Sequence, residues 1–209
     1  MNLKKIDPKF SKKTNPRIGL IALASDFIIE KDFADVIKDK DIDFFVNRIK
    51  TYDPLTRENL IKMSEDLTNV TNDILPNEKI DCVVYGCTSG TIASGYETIE
   101  KKIKNAKPSS KVTTPSTAAI AALKKLNIKK ISIFTPYPQK LNNQVVSFFK
   151  DEKFQVTSNS YLDIASDSDI WKVDPDFLYE VLTNMDHGDA DAVFISCTDL
   201  PVLQIIQKL

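Results

Sequence analysis

Two stretches of this sequence resemble each other and decide the fold: residues 80–89 read IDCVVYGCTS, and residues 190–199 read ADAVFISCTD. Each is an apolar run that ends in a small residue, a cysteine, a threonine and a short polar residue. A short apolar run closed by polar residues is typical of a buried strand of a parallel sheet. The two cysteines, Cys87 and Cys197, are about half of the 209-residue chain apart. The repeat predicts two similar lobes, each with a Cys-Thr pair at the carboxyl end of a strand, where open α/β sheets bind ligands.

The rest of the sequence alternates between strand-like and helix-like segments. Apolar runs typical of strands lie at 17–24, 42–46, 80–85, 130–135, 154–157 and 191–195. Segments of helical period lie at 28–38, 56–74, 91–104, 116–126, 139–150, 175–185 and 201–208. Such alternation is typical of βαβ units. We therefore predict the α/β class, with two pseudo-twofold-related lobes of parallel sheets flanked by helices and an active site in the cleft between them.

The lobe boundaries follow from the same pattern. Residues 1–16 are polar and rich in lysine, which predicts a loosely held N-terminal arm. We place the first α/β lobe at 17–113 and the second at 114–209, and the chain can cross between them.

The composition limits the kinds of partner that the protein is expected to bind. The chain has 28 basic and 29 acidic side chains, so we expect no binding to nucleic acid or to an anionic membrane. No apolar run approaches the length needed to span a bilayer, and the first residues do not resemble a secretory signal. We predict a cytoplasmic protein whose three cysteines are thiols rather than disulfides.

The chemistry expected of the chain requires neither a metal nor a cofactor. The single histidine, His187, has the neighbours of a loop residue after a helix and is a poor partner for a nucleophile. Without further histidines or CxxC spacing, a zinc site is not predicted. Cys82, inside an apolar run, is predicted to be a core residue.

Cys87 and Cys197 are the candidate catalytic groups. A thiol at a strand end that leads into a helix lies near free amides that stabilise a thiolate. On opposite faces of a bound carbon, one thiolate can remove a proton or add to the carbon, and the other thiol can deliver a proton. The alternative is that both are small core residues, as free cysteines often are.

The polar residues after each cysteine are candidates for substrate binding. Thr88 and Ser89 follow the first, and Thr198 and Asp199 follow the second. With the local amides, they can hold a substrate carboxylate or an enolate-like oxygen.

Five ordered blocks carry a resemblance to a known family. They lie at 17–26, 85–90, 113–119, 134–137 and 196–200. These blocks resemble the aspartate/glutamate racemase superfamily, in the branch of maleate cis-trans isomerase, arylmalonate decarboxylase and the racemase-like ectoine-utilisation protein, and are most similar to the last. The resemblance implies a cofactor-independent isomerase or racemase that acts on a small carboxylate with Cys87 and Cys197.

The resemblance also implies binding roles. Thr88, Ser89 and Tyr137 would form part of the pocket for the carboxylate or enediolate, and Thr198 would do so on the opposite side. Tyr137 has an alternative reading, as a turn aromatic that packs at the edge of a lobe.

Two positions depart from the maleate isomerase pattern. That enzyme has pocket asparagines where this chain has Asp26 and, near the second, Asp167. An aspartate at each place would favour a substrate that bears an amine. The alternative for Asp26 is a cap of the helix predicted at 28–38.

The resemblance leaves three functions open. Besides the two-cysteine isomerase, we consider an arylmalonate-type decarboxylase, which uses only the second-lobe cysteine, and a catalytically silent carboxylate-binding module. Family members usually continue with a further strand and helix beyond the position of Leu209. Either the sequence is truncated or the chain is naturally short, and in the second case an apolar sheet edge would be exposed and a homo-oligomer favoured.

Overall fold

The computed structural model describes residues 3–11 and 14–209. The described residues of the predicted arm form neither helix nor strand and are mostly exposed, and its other four residues lie outside the described ranges. The strands are β1 (Arg17–Leu23), β2 (Asp43–Ile49), β3 (Cys82–Tyr85), β4 (Lys111–Thr113), β5 (Lys130–Thr135), β6 (Gln155–Tyr161) and β7 (Ala192–Ile195). The helices are α1 (Ile29–Ile37), α2 (Arg57–Met63), α3 (Leu67–Asn72), α4 (Thr88–Ser94), α5 (Tyr96–Ala106), α6 (Pro115–Lys125), α7 (Gln139–Asp151) and α8 (Pro175–Asn184).

The strands form two parallel sheets. The first has the order β2-β1-β3-β4 and the second has the order β6-β5-β7. Within each sheet the strand that precedes a candidate cysteine, β3 or β7, pairs with the first strand of that sheet in chain order, β1 or β5. The predicted α/β fold with two helix-flanked parallel sheets is therefore confirmed. The exact lobe boundaries stay a prediction.

One apolar core runs through both sheets and the helices around them. Ile21, Ile133 and Phe149 in this core are fully buried. A smaller cluster, which includes Leu20 and Val84, covers the other face of the first sheet. Because residues buried on both faces of β1 and β3 must be apolar, these strands read as continuous apolar runs in the sequence.

Proline and a capping side chain begin two of the helices. The Thr114 hydroxyl accepts a hydrogen bond from the Thr117 amide, and Pro115 occupies the first turn of α6. Asp174 caps α8 in the same way, and Pro175 is the first residue of that helix. These caps satisfy amides that have no partner inside the helix.

Three predicted helices differ from the structure. The segment 56–74 is divided by a 3-10 turn at Ser64–Asp66. The segment 91–104 is two helices, because Gly95 has a φ of 82° and ends α4 before α5 begins. The segment 201–208 holds only a 3-10 turn at Val202–Gln204.

The last of these differences has a packing reason. Leu203 and Ile206 are 46% and 47% exposed, so the segment buries too little apolar surface to hold a helix. The adjacent strand β7 pairs, among the described strands, with β5 alone, and its Val193 is 41% exposed. The oligomeric state stays a prediction. Over the described ranges, no helix combines the length and apolar character needed to cross a bilayer.

Candidate active site

All of the residues predicted for the site meet at one small cavity of about 220 Å³. They are Asp26, Cys87, Thr88, Ser89, Tyr137, Asp167, Cys197, Thr198 and Asp199. Leu23 completes the lining. Much of this volume is open to solvent or lies between packed side chains, and the enclosed space has room for about one water molecule.

Cys87 follows β3 and caps the N-terminus of α4. Its Sγ accepts a hydrogen bond of 3.2 Å from the Gly90 amide and lies 3.8 Å from Ser89 Oγ. A Cβ atom on Gly90 would lie 2.8 Å from this sulphur and 2.6 Å from the Tyr85 hydroxyl, which is closer than real contacts allow. Glycine at position 90 therefore permits the close approach of α4 to the thiol.

The electrostatics of Cys87 oppose the predicted thiolate. Burial, followed by the charge of Asp167, raises the pKa of its thiol to about 12. The Gly90 amide, Ser89 and the nearby Tyr85 hydroxyl lower the pKa, but they do not outweigh those two causes. The amide at the start of α4 therefore favours the thiolate as expected, but burial outweighs it, and Cys87 is protonated at neutral pH.

Cys197 follows β7 in a different local setting. It has a φ of 89°, a conformation that costs free energy in a non-glycine residue and is typical of functional sites. No α-helix follows it in the described chain, so the predicted helix N-terminus at this second cysteine is wrong. Burial and the charge of Asp167 raise the pKa of its thiol well above the usual value.

A buried tyrosine accompanies each thiol. Tyr137 is 1% exposed, accepts a hydrogen bond of 3.2 Å from Ser196 Oγ and lies beside Cys197. Its alternative reading, as an aromatic at a lobe edge, is wrong. Tyr85 is fully buried beside Cys87, and its hydroxyl forms no hydrogen bond of normal length with any described residue.

Tyr85 was missed by the sequence reasoning. The residue belongs to one of the blocks that carry the resemblance, two positions before Cys87. The equivalent position of the internal repeat is Ile195, so the repeat offered no signal for it.

Asp26 caps α1 and also forms a hydrogen bond to the loop that contains Cys197. Its Oδ1 accepts hydrogen bonds of 2.9 and 2.8 Å from the amides of Ile28 and Ile29 at the start of α1. Its Oδ2 accepts a hydrogen bond of 3.0 Å from the Thr198 hydroxyl. Both oxygens are therefore engaged, and the geometry favours the capping alternative over contact with a substrate amine.

Asp199 is a buried carboxyl beside Asp26. Its Oδ1 accepts a hydrogen bond of 2.7 Å from the Phe27 amide, and its Oδ2 has no partner among the described residues. Burial, with smaller contributions from the charges of Asp26 and Asp167, raises the pKa of this carboxyl to about 8. At neutral pH Asp199 is therefore mostly a neutral acid that can donate a hydrogen bond.

Asp167 reaches the cavity from a 3-10 turn, Asp167–Lys172, in the second half of the chain. The Ser25 hydroxyl donates to its Oδ2 in a short hydrogen bond, and its backbone amide donates to Asp53 Oδ1 at 3.2 Å. It is 5% exposed, and burial raises the pKa of its carboxyl. Because its charge raises the pKa of both catalytic candidates, Asp167 lies within electrostatic reach of the two thiols.

The two remaining predictions about thiols and histidine concern residues outside the cavity. Cys82 is only half-buried in β3, so it is not the core residue that was predicted. His187 follows α8, as predicted, and its ring contacts the Ser132 hydroxyl at 2.9 Å and the Leu182 carbonyl at 2.8 Å. Over the described ranges, no cluster of three or more His, Cys, Asp or Glu side chains could hold a metal ion.

Two parallel sheets that each bring a cysteine from a strand end to one cavity define a protein of the aspartate/glutamate racemase class. The chain matches the arylmalonate decarboxylase family over residues 88–209 and belongs to that family.

Individual relatives place the chain within the isomerase and decarboxylase branch. It is 26% identical to the maleate isomerase of Geobacillus stearothermophilus over 208 residues, which cover 92% of this chain and 82% of that one. Its fold is similar to a maleate cis-trans isomerase variant of Nocardia farcinica with a covalently bound succinylcysteine intermediate, with a TM-score of 0.84, 17% identity and coverage of 92% and 82%. It is also similar to arylmalonate decarboxylase, with a TM-score of 0.66, 19% identity and coverage of 92% and 82%.

Proposed function

We propose that this protein is a cofactor-independent isomerase that acts on a small carboxylate through Cys87 and Cys197. The observation that carries the proposal is the meeting of both thiols at one small buried cavity. Buried structural cysteines have no need of such a cavity, whereas a two-sided reaction requires one group on each side of the substrate.

The hydrogen-bond donors around the two thiols suggest which thiol is the nucleophile and which is the proton donor. Cys87 has the Gly90 amide and Ser89 as hydrogen-bonding partners, and the nearby Tyr85 hydroxyl also lowers the pKa of its thiol, so we assign Cys87 the role of nucleophile. Cys197 is the proton donor on the opposite side. Thr88, Ser89, Tyr137 and the neutral acid of Asp199 supply donors for the substrate carboxylate.

For a cis-trans isomerisation, the electrons balance without a cofactor. Cys87 loses its proton to solvent as the substrate binds, and the thiolate adds to the alkene carbon that is β to a carboxylate. The electron pair of the double bond moves to the α-carbon, which takes a proton from Cys197. Rotation about the new single bond follows. Return of the proton to Cys197 then restores the double bond in the trans form and releases the Cys87 thiolate.

These reaction steps agree with an intermediate that is bound in one of the similar structures. Addition of a cysteine to maleate and protonation of the adduct would form a succinylcysteine, the intermediate bound in the Nocardia enzyme. A racemase would use the same two thiols differently, with one removing an α-proton and the other returning a proton to the opposite face. The maleate isomerases among the relatives favour the cis-trans reaction.

A decarboxylase is the second candidate, because the family bears that name. An arylmalonate-type decarboxylase needs the second-lobe cysteine alone. The position of Cys87 at the same cavity, with three groups that stabilise its thiolate, favours the isomerase.

Three matched cysteine variants test the proposal. We expect Cys87→Ser and Cys197→Ser each to lower turnover by about 10³-fold or more, with little further loss in the double variant. Cys82→Ser, outside the cavity, is the control and should stay active. The assay follows cis-trans conversion and exchange of α-protons with deuterium by NMR across unsaturated diacids, amino acids and arylmalonates.

The outcomes separate the candidate functions. Decarboxylation that persists in Cys87→Ser would contradict the isomerase and favour the decarboxylase. Binding without turnover of any compound, followed through Trp171 fluorescence, would favour the silent binding module.

A further inference from the structure

An apolar groove with about 480 Å³ of space lies on the first sheet, between α1 and α6. Ile18 of β1 and Cys82 and Val84 of β3 line it from the sheet. Val36 of α1 and Leu203, from the segment after β7, also line it and are 62% and 46% exposed. A concave and largely apolar surface of this size is typical of a binding site.

The groove contains one carboxylate without a partner. Asp32 of α1 is the one charged side chain among the described residues that line it, and no described residue forms a hydrogen bond or an ion pair with this carboxylate. Burial, followed by the charges of Asp26 and Asp35, raises its pKa to about 6, so it is mostly ionised at neutral pH. A partner that fits this groove therefore combines apolar side chains with a positive charge.

The N-terminal arm of the chain has this composition. Leu3, Ile6 and Phe10 are 100%, 84% and 85% exposed. Residues 1–16 contain five lysines and one aspartate. Residues 30–43, which include most of α1, contain six acidic and three basic side chains. The arm and the α1 side of the groove are therefore complementary both in charge and in apolar character.

The arm begins on the far side of α1 from the groove of its own molecule. Asn15 donates a hydrogen bond of 3.0 Å to the Asp43 carboxylate, and the Pro16 carbonyl accepts one of 2.9 Å from the Asp43 amide, at the start of β2. β2 is the edge strand beside β1, and its Phe44 stacks on Phe33 of α1 with 5.4 Å between the ring centroids. Because α1 lies between β2 and the groove, the arm would have to cross this helix to reach its own groove.

We propose that the groove binds the N-terminal arm of a second copy of this chain, so that two molecules exchange arms in a twofold dimer. The apolar side chains of the arm fill the groove, and one of its lysines pairs with Asp32. The exchange is reciprocal, so each molecule covers both its apolar arm and its apolar groove.

The groove is next to the catalytic cavity, because Thr198 lines both. An arm in the groove therefore packs against the residue that follows Cys197. The dimer does not depend on the proposed isomerase activity, and it is tested without a substrate.

Sedimentation velocity at micromolar concentrations tests the part played by the arm. We expect the full chain to be a dimer and the chain without residues 1–13 to be a monomer. Ile6→Ser combined with Phe10→Ser should raise the dissociation constant of the dimer about 100-fold or more, because each molecule loses two apolar contacts. Leu126→Ser is the control, since Leu126 is 70% exposed and lies outside the groove. It should keep the dimer.

Two further pairs of variants test the groove. Ala118→Arg places a bulky cation in the groove and should abolish the dimer, whereas Ala121→Arg, also exposed on α6 but outside the groove, should not. Asp32→Asn should raise the dissociation constant about fivefold, because it removes the charge that pairs with the arm. Asp35→Asn, on the same helix but outside the groove lining, should have a smaller effect.

Alkylation of Cys82 by N-ethylmaleimide, followed by mass spectrometry of the Cys82 peptide, reports whether the groove is filled. In the dimer, Cys82 should react more slowly than in the chain without residues 1–13. A dimer that survives both removal of the arm and Ala118→Arg would overturn the inference. So would a monomeric full chain, and protection of Cys82 in that monomer would show that the arm binds its own groove. Since no substrate is used, failure of the proposed isomerase would leave these results unchanged.

Discussion

The hydroxyl of Thr198 donates a hydrogen bond of 3.0 Å to Oδ2 of Asp26, a residue 172 positions earlier in the chain. The same hydroxyl lies 3.1 Å from the carbonyl oxygen of Gly86, which precedes Cys87. Thr198 follows Cys197, so this one side chain joins the loops of both cysteines. Asp26 also accepts hydrogen bonds from the amides at the start of α1. The contact with Thr198 therefore connects the loop after Cys197 to the beginning of that helix.

Loss of this link should affect both stability and activity. Thr198→Val keeps the shape of the side chain but leaves the buried Asp26 Oδ2 without its donor. We expect a loss of about 1–3 kcal/mol in the free energy of unfolding, together with reduced turnover. Urea unfolding and a turnover assay measure the two effects. Thr183→Val is the control, because that exposed hydroxyl bonds only to carbonyls within α8. Equal stability of the two variants would contradict the role of Thr198.

Gly90→Ala should impair turnover. The added Cβ would lie 2.8 Å from Cys87 Sγ and 2.6 Å from the Tyr85 hydroxyl, so the thiol must shift. A displacement of this kind at a reacting group can cost about 100-fold in rate. Ser94→Ala, at the other end of α4 and outside the cavity lining, is the control. Normal turnover by Gly90→Ala, with both variants folded by circular dichroism, would show that the position of Cys87 is not critical.

Tyr85→Phe should make Cys87 less reactive. The Tyr85 hydroxyl lowers the pKa of the Cys87 thiol, so its removal raises that pKa further. Since the thiolate is the reactive form, the alkylation of Cys87 by iodoacetamide should move to higher pH, which mass spectrometry can follow. Tyr96→Phe removes a hydroxyl that bonds to the Val112 carbonyl instead. It should leave the alkylation profile unchanged, and an equal profile in Tyr85→Phe would refute the interaction.

The stability of the protein should depend on the protonation of Asp199. The pKa of this carboxyl is about 8 in the folded protein, above its usual 3.8, so folding takes up a proton between these two values. Its contribution to stability is therefore fully present at acid pH and is lost as the pH rises toward 8. Asp199→Asn, which stays neutral, should raise the melting temperature relative to the natural protein increasingly from pH 5 to pH 9.

The exposed Asp169 supplies the control for this measurement. Asp169→Asn should show a much smaller change with pH, because its carboxylate is not buried. A difference between Asp199→Asn and the natural protein that stays constant with pH would contradict the raised pKa of Asp199.

Much of the fold could be predicted because it depends on local patterns. The apolar runs that became β1, β3 and β5 are buried on both faces, so their composition alone identified them. The helix predicted at 201–208 failed because its apolar residues find too little surface to pack against. Short β4 was missed, since three residues carry too weak a pattern.

The sequence by itself determined where the two candidate cysteines lie in the fold. A repeated strand followed by cysteine and threonine specifies where Cys87 and Cys197 lie, because parallel strands place their carboxyl ends at one side of a sheet. Only the tertiary structure decided how those side chains behave. The pKa of Cys87 rises because burial and Asp167, a residue distant in the chain, outweigh the local amide of Gly90. Asp26 Oδ2 is hydrogen-bonded because the fold brings the Thr198 hydroxyl beside it. Solvation and charge depend on distances through space, and these are set only when the chain has folded.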